Sequence, residues 1–391
     1  MDKILSPFKQ GKLLNTLFLS NVFISFHYAL IIYINSSFLS TLFSETQVSA
    51  LYIISSAGST ILLINASKIL EKIGVYKFII LSLIIEIIST AGLALSDSAF
   101  YVSLWFIIHT VTISLILFNM DVLIESIEED KTKVGSIRAT YLTLTNITIV
   151  IAPFCLSWII MDHIFTNVYL ISCLSILPVY FLIKKFRDIK STEIHHIRLK
   201  ETASEYIKNK NLYNILISQF LLQLFYAFMI IYTPIYLETV IGFSWAEIGI
   251  IFTIMLLPFI LFEVPLGELS DDKYGEKEFL TIGFIVMGLA TLFISFITAQ
   301  IFWMWATILF ITRIGASFVE VSVESYFFKQ VDKEKTDVIS FFRIARPISF
   351  IVAPILATII LQFIPFQYLF IFIGTTMILG AHYSLSLVDT R

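Results

Sequence analysis

Charge is scarce in this chain. Of its 391 residues only 14% are Asp, Glu, Lys or Arg, against roughly 25% in soluble domains, while 58% are hydrophobic. A soluble globular protein is excluded at that step. The net charge of -3 and the lack of a strongly basic face exclude a nucleic-acid partner. Cysteine is nearly absent, and Cys155 and Cys173 both fall in apolar stretches, where they read as buried small hydrophobes with no disulfide framework. Enzyme motifs are missing too: there is no H-E-x-x-H, no G-x-x-x-x-G-K and no cysteine cluster at metal spacing. The chain therefore reads as a non-enzyme that needs no cofactor and no metal. His195 and His196, in a polar stretch without an acid cluster, read as part of a solvated linker.

What is present is a series of apolar blocks of about 20 residues, the length of helix that crosses the hydrocarbon layer. Backbone groups in lipid must be satisfied within the segment, and the strict ten-residue alternation of a barrel is not seen, so each block is expected to be a helix. The fold class is all-α integral membrane. Twelve spans can be drawn, near 13–38, 47–67, 76–96, 100–124, 138–160, 165–184, 212–237, 246–268, 279–298, 301–327, 339–361 and 366–387. The first is read as a span rather than a cleaved signal.

Lysine and arginine decide the orientation, because cytoplasmic loops carry the excess. Lys3, Lys9 and Lys12 precede span one, Lys68, Lys72 and Lys77 follow span two, and Lys131 and Lys133 follow span four. The opposite loops hold Glu45, Asp97, Asp162, Glu238 and Glu247 but no lysine or arginine. Both termini are thus expected on the cytoplasmic side of the cell membrane. The polar stretch 185–211 divides the chain into an N-terminal half, 1–184, and a C-terminal half, 212–391, each of six spans.

The halves repeat one another. Phe43-Ser44-x-x-Gln47 recurs as Phe243-Ser244-x-x-Glu247, and Glu71-Lys72-x-Gly74 as Asp272-Lys273-x-Gly275. Asp121-Val122-x-Ile124-Glu125-Ser126 recurs as Glu320-Val321-x-Val323-Glu324-Ser325. Asp130-Lys131-Thr132 recurs as Glu334-Lys335-Thr336, and Ala152-Pro153 as Ala353-Pro354. Five matches in order, each displaced by close to half the length, indicate two homologous halves.

Two six-helix halves with a cytoplasmic linker resemble the major facilitator superfamily of secondary transporters. The most specific local sign is Gly267, Leu269, Asp271 or Asp272, Lys273, Gly275 and Lys277, similar to that family's G-x-L-x-D-[RK]-x-G-[RK]-[RK] loop. The spacing is one residue too long, Glu276 replaces a basic residue, and the first-half copy has Ala66 and Glu71 in place of glycine and aspartate. The family's antiporter pattern in span five is reduced to Ala152-Pro153. The resemblance implies two pseudo-symmetric bundles rocking about a central site, moving a small organic solute by alternating access with a proton as the leading coupling ion. It implies a monomer. A membrane receptor or lipid-handling protein on the same scaffold is the alternative.

Ionisable groups inside spans are functional candidates by default. Glu86 stands alone in span three with no basic residue at comparable depth in its half, and reads either as a protonated, hydrogen-bonded structural acid or as a site able to bind and release a proton. His27 and His109 can titrate near neutrality. Arg313, Glu320 and Glu324 share one face of span ten, with the guanidinium read either as a substrate contact or as the neutraliser of an acid. Glu320 joins Glu86 and His27 as a coupling candidate. Spans one and seven border the cavity by resemblance, so Asn21, His27, Tyr28, Tyr33, Gln219, Gln223, Tyr226 and Tyr232 are solute-cavity candidates together with Arg313. The cytoplasmic ends supply a gate: Glu71, Lys72, Gly74, Asp121, Glu125 and Arg138 in one half, Gly267, Asp271, Asp272, Lys273, Gly275, Glu324, Arg343 and Arg346 in the other. Asp271 or Asp272 is expected near Arg138, and Glu71 near Arg343 or Arg346, as latches between the halves.

Overall fold

The computed structural model describes residues 7–127, 131–160, 164–189, 199–269, 275–331 and 336–388. These residues form helices and no strand. In order they are α1 (Pro7–Ile32), α2 (Asn35–Ser40), α3 (Glu45–Ile73), α4 (Val75–Leu95), α5 (Ala99–Ile127), α6 (Lys131–Ile159), α7 (Thr166–Ile183) and α8 (Leu199–Lys208). Then follow α9 (Lys210–Ile235), α10 (Trp245–Leu269), α11 (Glu276–Ile294), α12 (Phe302–Gln330), α13 (Thr336–Arg343), α14 (Ala345–Ile360) and α15 (Leu369–Leu385). Among the described residues twelve helical segments are long and apolar enough to cross a membrane, from Gly11–Ser40 to Phe366–Leu385, which matches the twelve spans read from the sequence. Large apolar side chains such as Trp158, Phe181 and Trp303 point outward, as a lipid-facing surface allows.

Contacts divide the chain into two compact units: Met1–Ile34 with Ile54–His196, and Asn35–Ile53 with Ile197–Arg391. In the first, α4 packs between α5 and α7, and α1 packs against α6 and α7. In the second, α11 packs between α12 and α15, α10 lies on α12, and α9 contacts α12, α14, α15 and the short α2. The crossings of α11 with its neighbours use glycine as membrane helices commonly do. A Cβ at Gly374 would stand 2.6 Å from Gly288 O, and one at Gly283 would stand 2.8 Å from Gly315 O.

The sequence repeats are repeats of local structure. Ser44 and Gln47 form a capping box at the start of α3: Gln47 Oε1 accepts from the Ser44 N–H at 3.0 Å, and the Gln47 N–H points to Ser44 Oγ at 3.4 Å. Ser244 and Glu247 do the same at the start of α10, at 2.9 and 3.4 Å. Gly74 and Gly275 precede α4 and α11 with φ/ψ of 79/156 and 76/162, a region open essentially to glycine alone. The twin glycines are thus required by the same backbone turn.

Candidate functional site

Four helices of the first unit converge on one carboxylate. Glu86 lies at the middle of α4, His109 on α5, His27 on α1 and Ser172 on α7, and all four are buried. Glu86 Oε1 is 2.8 Å from His27 Nε2 and 2.5 Å from His109 Nδ1, and it also accepts from Thr90 Oγ1 at 3.3 Å. The two imidazole planes stand at 74° with centroids 6.1 Å apart. Among the described residues Glu86 Oε2 has no hydrogen-bond partner.

Glu86 is therefore not the solitary acid that the sequence suggests. The expectation of no basic residue at its depth is corrected: the basic groups there are the histidines His27 and His109. His27 and His109 are the histidines inside spans of the first half, so counting imidazoles as bases finds the trio. Ser172 and Thr90 carry no comparable signal, since a hydroxyl in an apolar helix ordinarily bonds back to its own turn.

On its far side, His27 Nδ1 lies 3.0 Å from the Ser172 carbonyl oxygen and 2.8 Å from Ser172 Oγ. Ser172 Oγ is also 3.0 Å from the His27 carbonyl oxygen, to which it can donate. A carboxylate and a carbonyl both only accept. Both ring nitrogens of His27 thus face oxygen atoms that can accept a hydrogen bond.

The ligand atoms of His27, Glu86 and His109 lie within 4.8 Å of one another, so the described residues include one group that could hold a metal ion. The spacing favours hydrogen bonds. Ligands on an ion bound at 2.0–2.2 Å stand about 3.4 Å apart, farther than the 2.5 and 2.8 Å found here.

The second unit contains a different kind of charge. Arg313 on α12 is 1% exposed, and its Nε and Nη1 have no acceptor among the described residues. Its guanidinium carbon is 5.0 Å from the Phe225 ring centroid and 5.6 Å from that of Tyr226. Burying an ion costs several kcal/mol even after relaxation, and cation–π contact returns about 2 kcal/mol. The acids that share its helical face are engaged elsewhere: Glu320 Oε2 accepts from Tyr226 OH at 2.7 Å, and Glu324 pairs with Arg343. The reading of Arg313 as the neutraliser of an acid is thereby corrected among the described residues.

Other candidates are dispersed. Asn21 Nδ2 donates to Tyr141 O and Thr145 Oγ1, both at 2.9 Å, and ties α1 to α6. Tyr28 packs on the first unit's core, and Tyr33, Gln219 and Gln223 are buried. The Tyr232 hydroxyl meets Ser49 Oγ at 3.0 Å. Glu71, Lys72, Asp121 and Arg346 are exposed. Asp271, Asp272, Lys273, His195 and His196 lie outside the described residues, as do the side chains of Glu125 and Arg138; Gly267 lies within α10.

A family model described as Major Facilitator Superfamily matches residues 17–249 and again 215–390. The chain belongs to the Major Facilitator Superfamily. Among curated proteins no relative is matched. Among solved structures, a POT family transporter in complex with 5-aminolevulinic acid is similar in fold, with a TM-score of 0.79 at 14% identity over 95% of each chain. Membership in the superfamily supports a secondary transporter with a small-molecule substrate rather than an enzyme, and with the twelve apolar helices it makes the chain a multi-pass membrane protein.

Proposed function

We propose that this member of the superfamily is a proton-coupled transporter of a small organic solute, working by alternating access as a monomer between an N-terminal half, 1–184, and a C-terminal half, 212–391. Both termini are on the cytoplasmic side of the cell membrane, a reading supported by the one-sided lysines and arginines.

The observation that carries the coupling is the trio His27, Glu86 and His109. Two protonation patterns fit the same heavy atoms. In one, His27 is neutral: Nε2–H donates to Glu86 and the Ser172 hydroxyl donates to Nδ1. In the other, His27 is an imidazolium: Nδ1–H donates to the Ser172 carbonyl, and the hydroxyl turns to the His27 carbonyl. Taking up one proton needs only that rotation, because the carboxylate is already in place to balance the charge. Imidazole is the side chain suited to such exchange near neutral pH. Glu320, held by Tyr226, is a second candidate for coupling in the other half. The ionic groups at the inner helix ends, including Glu324 with Arg343, serve as gate contacts.

The test uses the full chain in proteoliposomes with a pH-sensitive dye in the lumen. Amino acids, sugars, organic acids and nucleosides are offered in turn. The transported solute is expected to carry protons with it and to accumulate when a pH gradient is imposed; transport that moves no protons and ignores the gradient overturns the coupling.

A further inference from the structure

We infer that Arg313 is the recognition point for a carboxylate carried by the transported solute. This rests on the transporter reading and names the chemical class of its cargo. A guanidinium is never deprotonated in proteins and presents five N–H donors in a planar fork that matches a carboxylate. In this structure Nε and Nη1 are buried with no acceptor among the described residues, and the guanidinium lies against the rings of Phe225 and Tyr226.

Among the described residues, the acids on its own helical face do not fill the role. Glu320 follows Arg313 by seven positions, about two turns or 10 Å along the helix, and the hydroxyl of Tyr226 is bonded to it. Glu324 is bound to Arg343. Tyr226 is consequently fixed with its ring beside the guanidinium and its hydroxyl turned to Glu320, and it offers Arg313 a π surface rather than a lone pair. Rings hold a cation without consuming its hydrogen bonds. The fork is thus positioned and left for an anion that arrives from outside when the transport cycle opens the helices. Gln223, a buried polar group of α9 two residues before Phe225, is uncharged and does not repel such a ligand.

The experiment reads binding without transport. Full-length protein in a detergent with an uncharged headgroup is titrated with sodium acetate, succinate and benzoate, with acetamide and benzamide as neutral counterparts, and with sodium chloride and sodium phosphate, while thermal unfolding is followed. At least one carboxylate is expected to raise the unfolding temperature saturably, and its neutral counterpart is not. Arg313→Lys, which keeps the charge and loses the fork, should weaken that response about tenfold. Arg313→Met should abolish it while unfolding, without ligand, at the same or a higher temperature than the native protein, because no internal partner is orphaned.

Failure of every carboxylate, a response only to phosphate or chloride, or an unchanged carboxylate response in Arg313→Met overturns the assignment. So does a large loss of ligand-free stability in both Arg313→Met and Arg313→Gln, which would reveal an internal partner. A neutral solute transported with protons by Arg313→Met would sink the carboxylate inference and leave the coupled transporter standing.

Discussion

His109 Nδ1 stands 2.5 Å from Glu86 Oε1, the same oxygen that His27 Nε2 meets at 2.8 Å. Two helices thus deliver a base to one carboxylate oxygen, while the other oxygen of that carboxylate has no partner among the described residues. Removing the acid should be costly. Glu86→Ala leaves two buried imidazoles, at His27 Nε2 and His109 Nδ1, without their carboxylate partner, and a loss of about 3–5 kcal/mol is expected in reversible unfolding. Glu86→Gln keeps volume and one acceptor oxygen but cannot balance an imidazolium. That variant should still exchange solute across the membrane at equal pH and fail to accumulate it against a gradient; full accumulation would contradict the role given to the trio.

Gly374→Ala tests the crossing of α15 with α11. The new methyl would lie 2.6 Å from Gly288 O and from Leu292 N, both backbone atoms that cannot turn aside. The helices must separate, at a cost of about 1–3 kcal/mol. Gly11→Ala is the control, since nothing lies within 4 Å of its Cβ, and a helical alanine there should be neutral or stabilising by up to about 1 kcal/mol. Equal melting temperatures for the two variants would refute the packing argument.

Two acids near the same end of the second unit should differ in worth. Glu276 is fully buried, accepts from Ser325 Oγ at 2.8 Å and pairs with Lys329. Its replacement by alanine should cost about 1.5–3 kcal/mol. Glu324 and Arg343 form a forked pair, but their side chains are 29% and 49% exposed, so Arg343→Ala should cost no more than about 1 kcal/mol. Chemical denaturation of both variants gives the comparison, and the reverse order would be the informative failure.

Tyr206 anchors α8 to the start of α13. Its ring lies 5.1 Å from that of Phe341, and its hydroxyl donates to Val338 O at 2.9 Å. Burial first, and then the neighbouring Glu205 carboxylate, push the phenol above its ordinary value. The folded state therefore holds this proton more tightly than the unfolded one. The stabilisation is complete below the unfolded value of about 10 and fades only as pH rises through the folded value. Tyr206→Phe keeps the ring contact and loses about 1 kcal/mol at neutral pH. Amide exchange faster than in the native protein, confined to α8 and α13, is the expected readout, and the ratio of the two rates should be independent of pH between 6 and about 8.

The sequence by itself determined the twelve spans, the all-helical class and the local devices at its repeated motifs. Each of these depends on a short window: about 20 apolar residues for a span, Ser-x-x-Gln or Ser-x-x-Glu for a cap, a glycine where the backbone takes a positive φ before α4 and α11. What surrounds Glu86 was decided only by the tertiary structure. His27, Glu86, His109 and Ser172 come from four helices, and which side chains meet depends on how each helix is rotated about its axis against its neighbours, a property that no window of sequence carries. The same holds for Arg313. Its spacing to Glu320 and Glu324 places all three on one face of α12, yet packing against α9 gives Glu320 to Tyr226, while Glu324 goes to Arg343 and the guanidinium lies against two aromatic rings. A shared face made a charge pair possible, and the competing partners across the helix contacts decided against it.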